Sequence, residues 1–180
     1  MRKQSDRNPR HGIVGEPAPE LTVPTWFDAA GRPRPPVKLA DRPGRPALLF
    51  CFQAWCPGCH IRGFPALAQL QRKLGDQADY YVIQTVFEGL AENTVARLLE
   101  EQRRYALGIP FGHDPGDRGR LPTTMRDYRT GGTPWFVAID ARGVVVADGF
   151  RLTIPDVVAR LAPAGPAAPP DVSPTIAPGR

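Results

Sequence analysis

The chain has 180 residues, 42% of them hydrophobic and 23% charged, with a formal net charge of +5. That length and balance suit one globular domain with a real core. Three cysteines are too few for a disulfide-framework fold, no apolar stretch approaches the roughly 20 residues of a membrane span, and the basic residues are scattered among acids rather than gathered into a nucleic-acid-binding run.

In chain order, residues 1–12 are polar and read as a disordered tail. Met1-Arg2-Lys3-Gln4-Ser5-Asp6-Arg7 opens basic, but no apolar core of a secretory leader follows. A cytoplasmic location is therefore expected, where thiols are kept reduced and a CxxC pair is more often catalytic than structural. Gly15-Glu16-Pro17-Ala18-Pro19-Glu20-Leu21 predicts an extended, edge-like segment, because its prolines cannot donate to a ladder. Ala29-Ala30-Gly31-Arg32-Pro33 reads as a turn joining 21–27 to 37–39 in a small N-terminal hairpin.

Ala47-Leu48-Leu49-Phe50-Cys51-Phe52 is short, uncharged and rich in large apolar side chains, as a strand buried on both faces should be. A helix is predicted over 56–74, with Leu67, Leu70 and Leu74 at helical spacing and a kink at Pro65. Residues 80–87 predict a second buried strand. Glu92-Asn93-Thr94 offers a cap for a helix through Leu98 and Leu99 that Gly108 stops. Ile109-Pro110-Phe111 suits a short strand or a loop, and 113–120 reads as loop. A short helix over 124–128 precedes two strands, 135–140 and 144–150, joined through Ala141-Arg142-Gly143. A last helix runs from Pro155 to Leu161, and 163–180 is a Pro- and Ala-rich tail expected to stay uncollapsed. The element order implies a central sheet with helices on both faces, and a single domain over 13–162.

The chemistry concentrates in Ala54-Trp55-Cys56-Pro57-Gly58-Cys59-His60. Cys56 falls where the helix begins, and Pro57 takes the first helical position, where a missing N–H costs nothing. Residues i and i+3 share a helix face, which brings Cys56 and Cys59 within disulfide reach. The helix N-terminus presents unpaired N–H groups and a partial positive charge that favour a thiolate. Cys56, the more N-terminal, is the expected nucleophile, and Cys59 the resolving thiol.

Taken together, Gly15-Glu16-Pro17-Ala18-Pro19, Trp55-Cys56-Pro57-Gly58-Cys59 after a buried strand, Gly132-Thr133-Pro134 before a hairpin and Ile139-Asp140-Ala141-Arg142-Gly143 resemble the TlpA-like thiol–disulfide oxidoreductases. These have the thioredoxin fold and belong to the wider redoxin group with the peroxiredoxins. The resemblance covers roughly 13–162. It implies an α/β thioredoxin fold, a central mixed sheet flanked by helices, here with an N-terminal β-hairpin extension. It also implies a reversible Cys56–Cys59 disulfide that exchanges with protein disulfides. Thr133 is expected to pair its backbone with the client, Pro134 to be cis against the sulfurs, and Trp55 to pack beside the motif. No cofactor is implied, and the expected partners are protein dithiol or disulfide clients and a redox donor, met by a monomer.

The chain also departs from its relatives. Thioredoxins place a buried acid where this chain has Phe50, and TlpA-like proteins often place a Glu where it has Arg62. No acid occurs between Phe50 and Leu74, so Glu88 is taken as the substitute proton carrier. Other readings of the same residues were weighed. Cys56-Pro57-Gly58-Cys59-His60 spells the CxxCH haem motif, but Met1 and Met125 are the only methionines available as an axial ligand. Cys56, Cys59 and His113 suit copper or zinc by ligand type, as in metal-delivery proteins of this fold. A peroxidase would want Thr three residues before Cys56, where Gln53 stands. Cys51 reads as a buried core thiol. A thioredoxin domain serving only as a binding platform would have no need of both cysteines.

Overall fold

Strand β3, Ala47–Phe52, is buried at all six positions, and the molecule is assembled around it. In the computed structural model, which describes residues 11–117 and 120–162, β3 lies inside a seven-stranded sheet of order β2-β1-β5-β4-β3-β6-β7. β4 (Asp79–Val86) and β5 (Phe111–Pro115) run parallel to it, while β6 (Trp135–Ile139) pairs antiparallel on its other side and β7 (Val145–Gly149) closes that edge. β1 (Thr25–Phe27) and β2 (Pro33–Arg34) form the hairpin expected near the N-terminus, and β1 joins it to β5. The two expected tails fall mainly on 1–10 and 163–180, outside the described residues.

Each run of β3 side chains feeds a different core, as a strand buried on both faces must. Leu48, Phe50 and Phe52 face one cluster with Leu67, Leu70, Leu74, Leu98, Val157 and Leu161. Leu49 and Cys51 face the other, with Ile13, Leu21, Val23, Trp26, Val37 and Tyr128. Helices α1 (Phe64–Leu74), α2 (Val95–Tyr105) and α4 (Ile154–Leu161) thus cover the first face. The opposite face carries the N-terminal segment and the end of the short α3 (Thr123–Asp127), so the two faces are clothed less evenly than the element order suggested.

Four local expectations are corrected. The hairpin's return strand is Pro33–Arg34, because Pro35 and Pro36 cannot donate to a ladder and Val37 turns into the core instead. α2 closes at Ala106, which is left-handed at φ 46°, rather than at Gly108. His113 and Asp114 lie in β5, since β4 and β1 pair with that segment from both sides. The helix expected over 56–74 is not simply kinked at Pro65. A π-helical turn, Cys59–Gly63, precedes α1, closed by a hydrogen bond from Phe64 N to Cys59 O, and Pro65 then sits in the first turn of α1, where no donor is needed.

The leading segment runs along the start of β7, with Gly15 N donating to Val145 O at 2.8 Å and Ala18 N to Gly143 O at 2.8 Å. The turn at 140–144 is made by Asp140, whose carboxylate accepts from Arg142 N at 2.9 Å and Val144 N at 3.0 Å, with Gly143 at φ 78°.

A very close approach lies where the π turn meets the sheet. A Cβ added at Gly63 would stand 2.5 Å from Phe50 Cζ and 3.3 Å from Pro134 Cβ. Gly63→Ala should therefore destabilise the protein by about 1–3 kcal/mol, the usual cost of overpacking, seen as a lower urea midpoint for the reduced protein. An unchanged midpoint would mean that the helix moves away from Phe50 freely.

Candidate active site

β3 ends at Phe52, and the chain must then turn to start the helix. Gln53, Ala54 and Trp55 make that turn, with Cys56 N donating to Gln53 O at 3.1 Å. Because β6 is antiparallel to β3, with Cys51 opposite Trp135, the start of β6 lies beside the end of β3. That pairing brings residues 77 positions apart into contact. The Thr133–Pro134 peptide is cis, and Cys56 Sγ donates to Thr133 O at 3.5 Å. Cys59 N donates to Cys56 Sγ at 3.3 Å. All three cysteines are unpaired, so this is the dithiol form of the motif.

Burial differs along the motif. Trp55 is 46% exposed, Cys56 only 6% and Cys59 not at all, so of the two motif thiols only an edge of Cys56 reaches the surface. Burial pushes the Cys59 thiol well above its ordinary range, and the hydrogen bond it shares with Cys56 adds to that shift. Cys51 is pushed up as well, first by burial and then by the nearby Asp114. It faces the opposite core from Cys59 and stands apart from the motif.

A polar network holds the turn in place. Asn93, 2% exposed, accepts from Ala54 N at 2.7 Å through Oδ1. Its Nδ2 donates to Gln53 Oε1 at 3.1 Å, and that same oxygen accepts from Trp55 Nε1 at 3.0 Å. Gln84 on β4 donates to Asn93 Oδ1 at 3.5 Å and meets His113 Nδ1 at 2.8 Å. On the cap triplet Glu92-Asn93-Thr94, Thr94 does the capping, accepting from Arg97 N, which frees Asn93 to turn inward.

His60 fastens the turn from the helix side. Its Nε2 lies 2.6 Å from Ala54 O, which can only accept, so Nε2 carries the proton. In the neutral ring Nδ1 then accepts from the Tyr105 hydroxyl at 2.7 Å. Behind them Glu101, 1% exposed, faces His60 at 3.8 Å and is held by Arg97 at 3.0 Å and Arg104 at 3.5 Å. Tyr105 stacks on Phe64 at 3.7 Å. Sequence reading missed Asn93, Tyr105 and Glu101 because the groups they meet at the motif lie 39–45 residues away and no local signal points to them.

The remaining expected residues are placed as follows. Pro134 is buried, and Thr133 half-buried beside Cys56. Glu88 is exposed, and it is its backbone oxygen that accepts from Asn93. Phe50 sits in an aromatic cluster with Phe64 at 5.0 Å and Phe136 at 4.8 Å, so no carboxylate occupies that place. His113 is held by Gln84, burial lowers its pKa, and among the described residues no three His, Cys, Asp or Glu side chains gather as a metal site. Gln53, at the position a peroxidase would give to Thr, is buried and serves the turn. Both ring nitrogens of His60 are engaged by protein groups, which leaves neither for a haem iron. Among the described residues no helix is long and apolar enough to cross a membrane.

No protein-family model and no curated protein sequence matches the chain. Solved structures do. A thioredoxin-like superfamily protein is 31% identical, with a TM-score of 0.71, over 83% of this chain and 99% of that one. A thiol-disulfide isomerase from Corynebacterium glutamicum shares the fold at 24% identity and a TM-score of 0.69, over 82% of this chain and 98% of that one. A thio-disulfide isomerase from Thermus thermophilus is 27% identical, with a TM-score of 0.53, over 76% of this chain and 84% of that one.

Two measurements probe the site's support. Asn93→Ala leaves the buried Ala54 N unpaired and should cost about 1–3 kcal/mol in urea unfolding; no loss would show that the network does not hold the turn. Cys51 and Cys59 stay protonated when folded, whereas unfolded thiols ionise near pH 8.5. The stability of the reduced protein that this provides is full below about pH 8.5 and declines as pH rises above it. Urea midpoints of the reduced protein between pH 7 and 10 should fall accordingly, and a flat profile would contradict the burial of both thiols.

Proposed function

The chain belongs to the thioredoxin-like superfamily, and from that premise we propose that it is a thiol–disulfide oxidoreductase that exchanges its Cys56–Cys59 pair with disulfides of client proteins. The observation that carries this reading is the meeting of Cys56 Sγ with Cys59 N at 3.3 Å and Thr133 O at 3.5 Å beside a cis-proline. One exposed edge, one buried second thiol and a backbone edge at Thr133 are what exchange with a polypeptide needs.

In the reducing direction, the Cys56 thiolate attacks one client sulfur. A Cys56–client disulfide forms, the client S–S bond breaks, and the first client thiolate leaves and takes a proton. Cys59 then gives up its proton and attacks Cys56 Sγ. The Cys56–Cys59 bond forms, the second client sulfur departs as a thiolate, and two electrons have passed to the client. The N–H of Cys59 stabilises negative charge on the Cys56 sulfur that makes the first attack. Thr133 offers backbone groups to an extended client, and Pro134 and Trp55 border the sulfurs. Glu88, exposed as it is, does not suit the part of a buried proton carrier. All these groups come from one chain, so a monomer suffices. In a compartment that keeps thiols reduced the pair works as a reductase, and in an oxidising one the same steps run in reverse.

A redox titration against glutathione buffers, read by alkylation and mass, should give one reversible two-electron step confined to Cys56 and Cys59. Cys56→Ser should abolish turnover, and Cys59→Ser should accumulate mixed disulfides with clients. If Cys59→Ser traps nothing while the wild type turns over, the exchange scheme is wrong.

A further inference from the structure

Arg62 lies in the π turn, one helical turn beyond Cys59, and is exposed. Helical side chains lean toward the helix N-terminus, and this one leans over the motif itself. Its NH2 group stands 3.2 Å from the point where a Cβ on Gly58 would sit, and Pro134 Cδ stands 3.3 Å from the same point. A guanidinium, the cis-proline ring and the inner dipeptide of the CxxC motif therefore converge at one spot on the surface. The missing side chain of Gly58 is what leaves room for them.

The chemistry of that guanidinium is unspent. Arg32, Arg42, Arg97, Arg129 and Arg142 each pair with a carboxylate. Among the described residues the Arg62 side chain makes no hydrogen bond and no ion pair. The nearby acids are engaged elsewhere or directed away: Glu101 is buried among His60, Arg97 and Arg104, and Glu92 lies against Gly89 on the Trp55 side of the motif. A free fork of N–H donors beside a reactive thiol is suited to a carboxylate, which it can take bidentately.

We propose that Arg62 is a specificity-determining residue, receiving a carboxylate that a polypeptide client carries next to the disulfide under attack. The inference rests on the exchange activity proposed above. The gain is modest, because the pair forms at an exposed site: severalfold in rate rather than orders of magnitude. It also falls with salt, since the screening length shrinks to about 3 Å at 1 M.

The test uses the full chain, pre-reduced, and two disulfide peptides that differ only in Glu or Lys two residues from one cysteine. Second-order reduction rates are measured by acid quench and mass at low salt, for the wild type, Arg62→Gln and Arg62→Glu. The wild type should reduce the Glu peptide about fivefold faster than the Lys peptide. Arg62→Gln should level the two rates, Arg62→Glu should invert their order, and 1 M salt should erase the wild-type preference. Equal wild-type rates for the two peptides, or a preference that persists in Arg62→Gln, would overturn the proposal while leaving exchange standing. If the wild type reduces neither peptide, the exchange reading itself falls and takes this inference with it.

Discussion

Everything at this site depends on how closely the active-site helix can approach the sheet. Gly63 has no side chain to hold the π turn away from the ring of Phe50 and from Pro134. Gly58 does the same one turn earlier, where Pro134 and Arg62 close in. The two thiols therefore lie against the start of β6 rather than above it. The aromatic cluster of Phe50, Phe52, Phe64 and Phe136 fills the space beneath, and its edge-to-face and offset contacts make the floor of the site rigid.

That floor has a chemical consequence. A carboxylate under the motif would offer Cys59 a place to send its proton. Here the floor is hydrocarbon, burial keeps the Cys59 thiol protonated, and the buried acid of the region, Glu101, stands behind His60 and Tyr105. The polar groups serve geometry instead. Asn93 and His60 grip the N–H and the carbonyl of the same residue, Ala54, from opposite sides. The loop that carries Trp55 and Cys56 is fixed at the residue before the tryptophan, which lets Trp55 stay exposed without the loop being loose.

Much of this was legible in the residues. The six apolar positions of β3, the leucines of α1 and the hairpin around Asp140 follow from periodicity and turn chemistry, because those signals are local. The cysteine pair at a helix start and the proline before β6 are local as well. Two of the misreadings share a cause, which is that a neighbour far along the chain decided the matter. His113 looks like loop next to Asp114-Pro115-Gly116, yet β1 and β4 recruit it into a strand. Asn93 looks like part of a cap, yet Thr94 performs that task and Asn93 turns to a loop 39 residues away.

The sequence by itself determined the class of the fold and the identity of the thiol pair, since each is written in short runs of residue types whose physics is self-contained, and it carried the place of the cis-proline through resemblance to a known family. Only the tertiary structure decided what surrounds that pair: hydrocarbon beneath it, Asn93 and His60 holding its loop, an exposed Glu88, and Arg62 lying unpaired across Gly58. Those are relations between segments that strand pairing and helix packing bring together. No single stretch of the chain contains the distance between them.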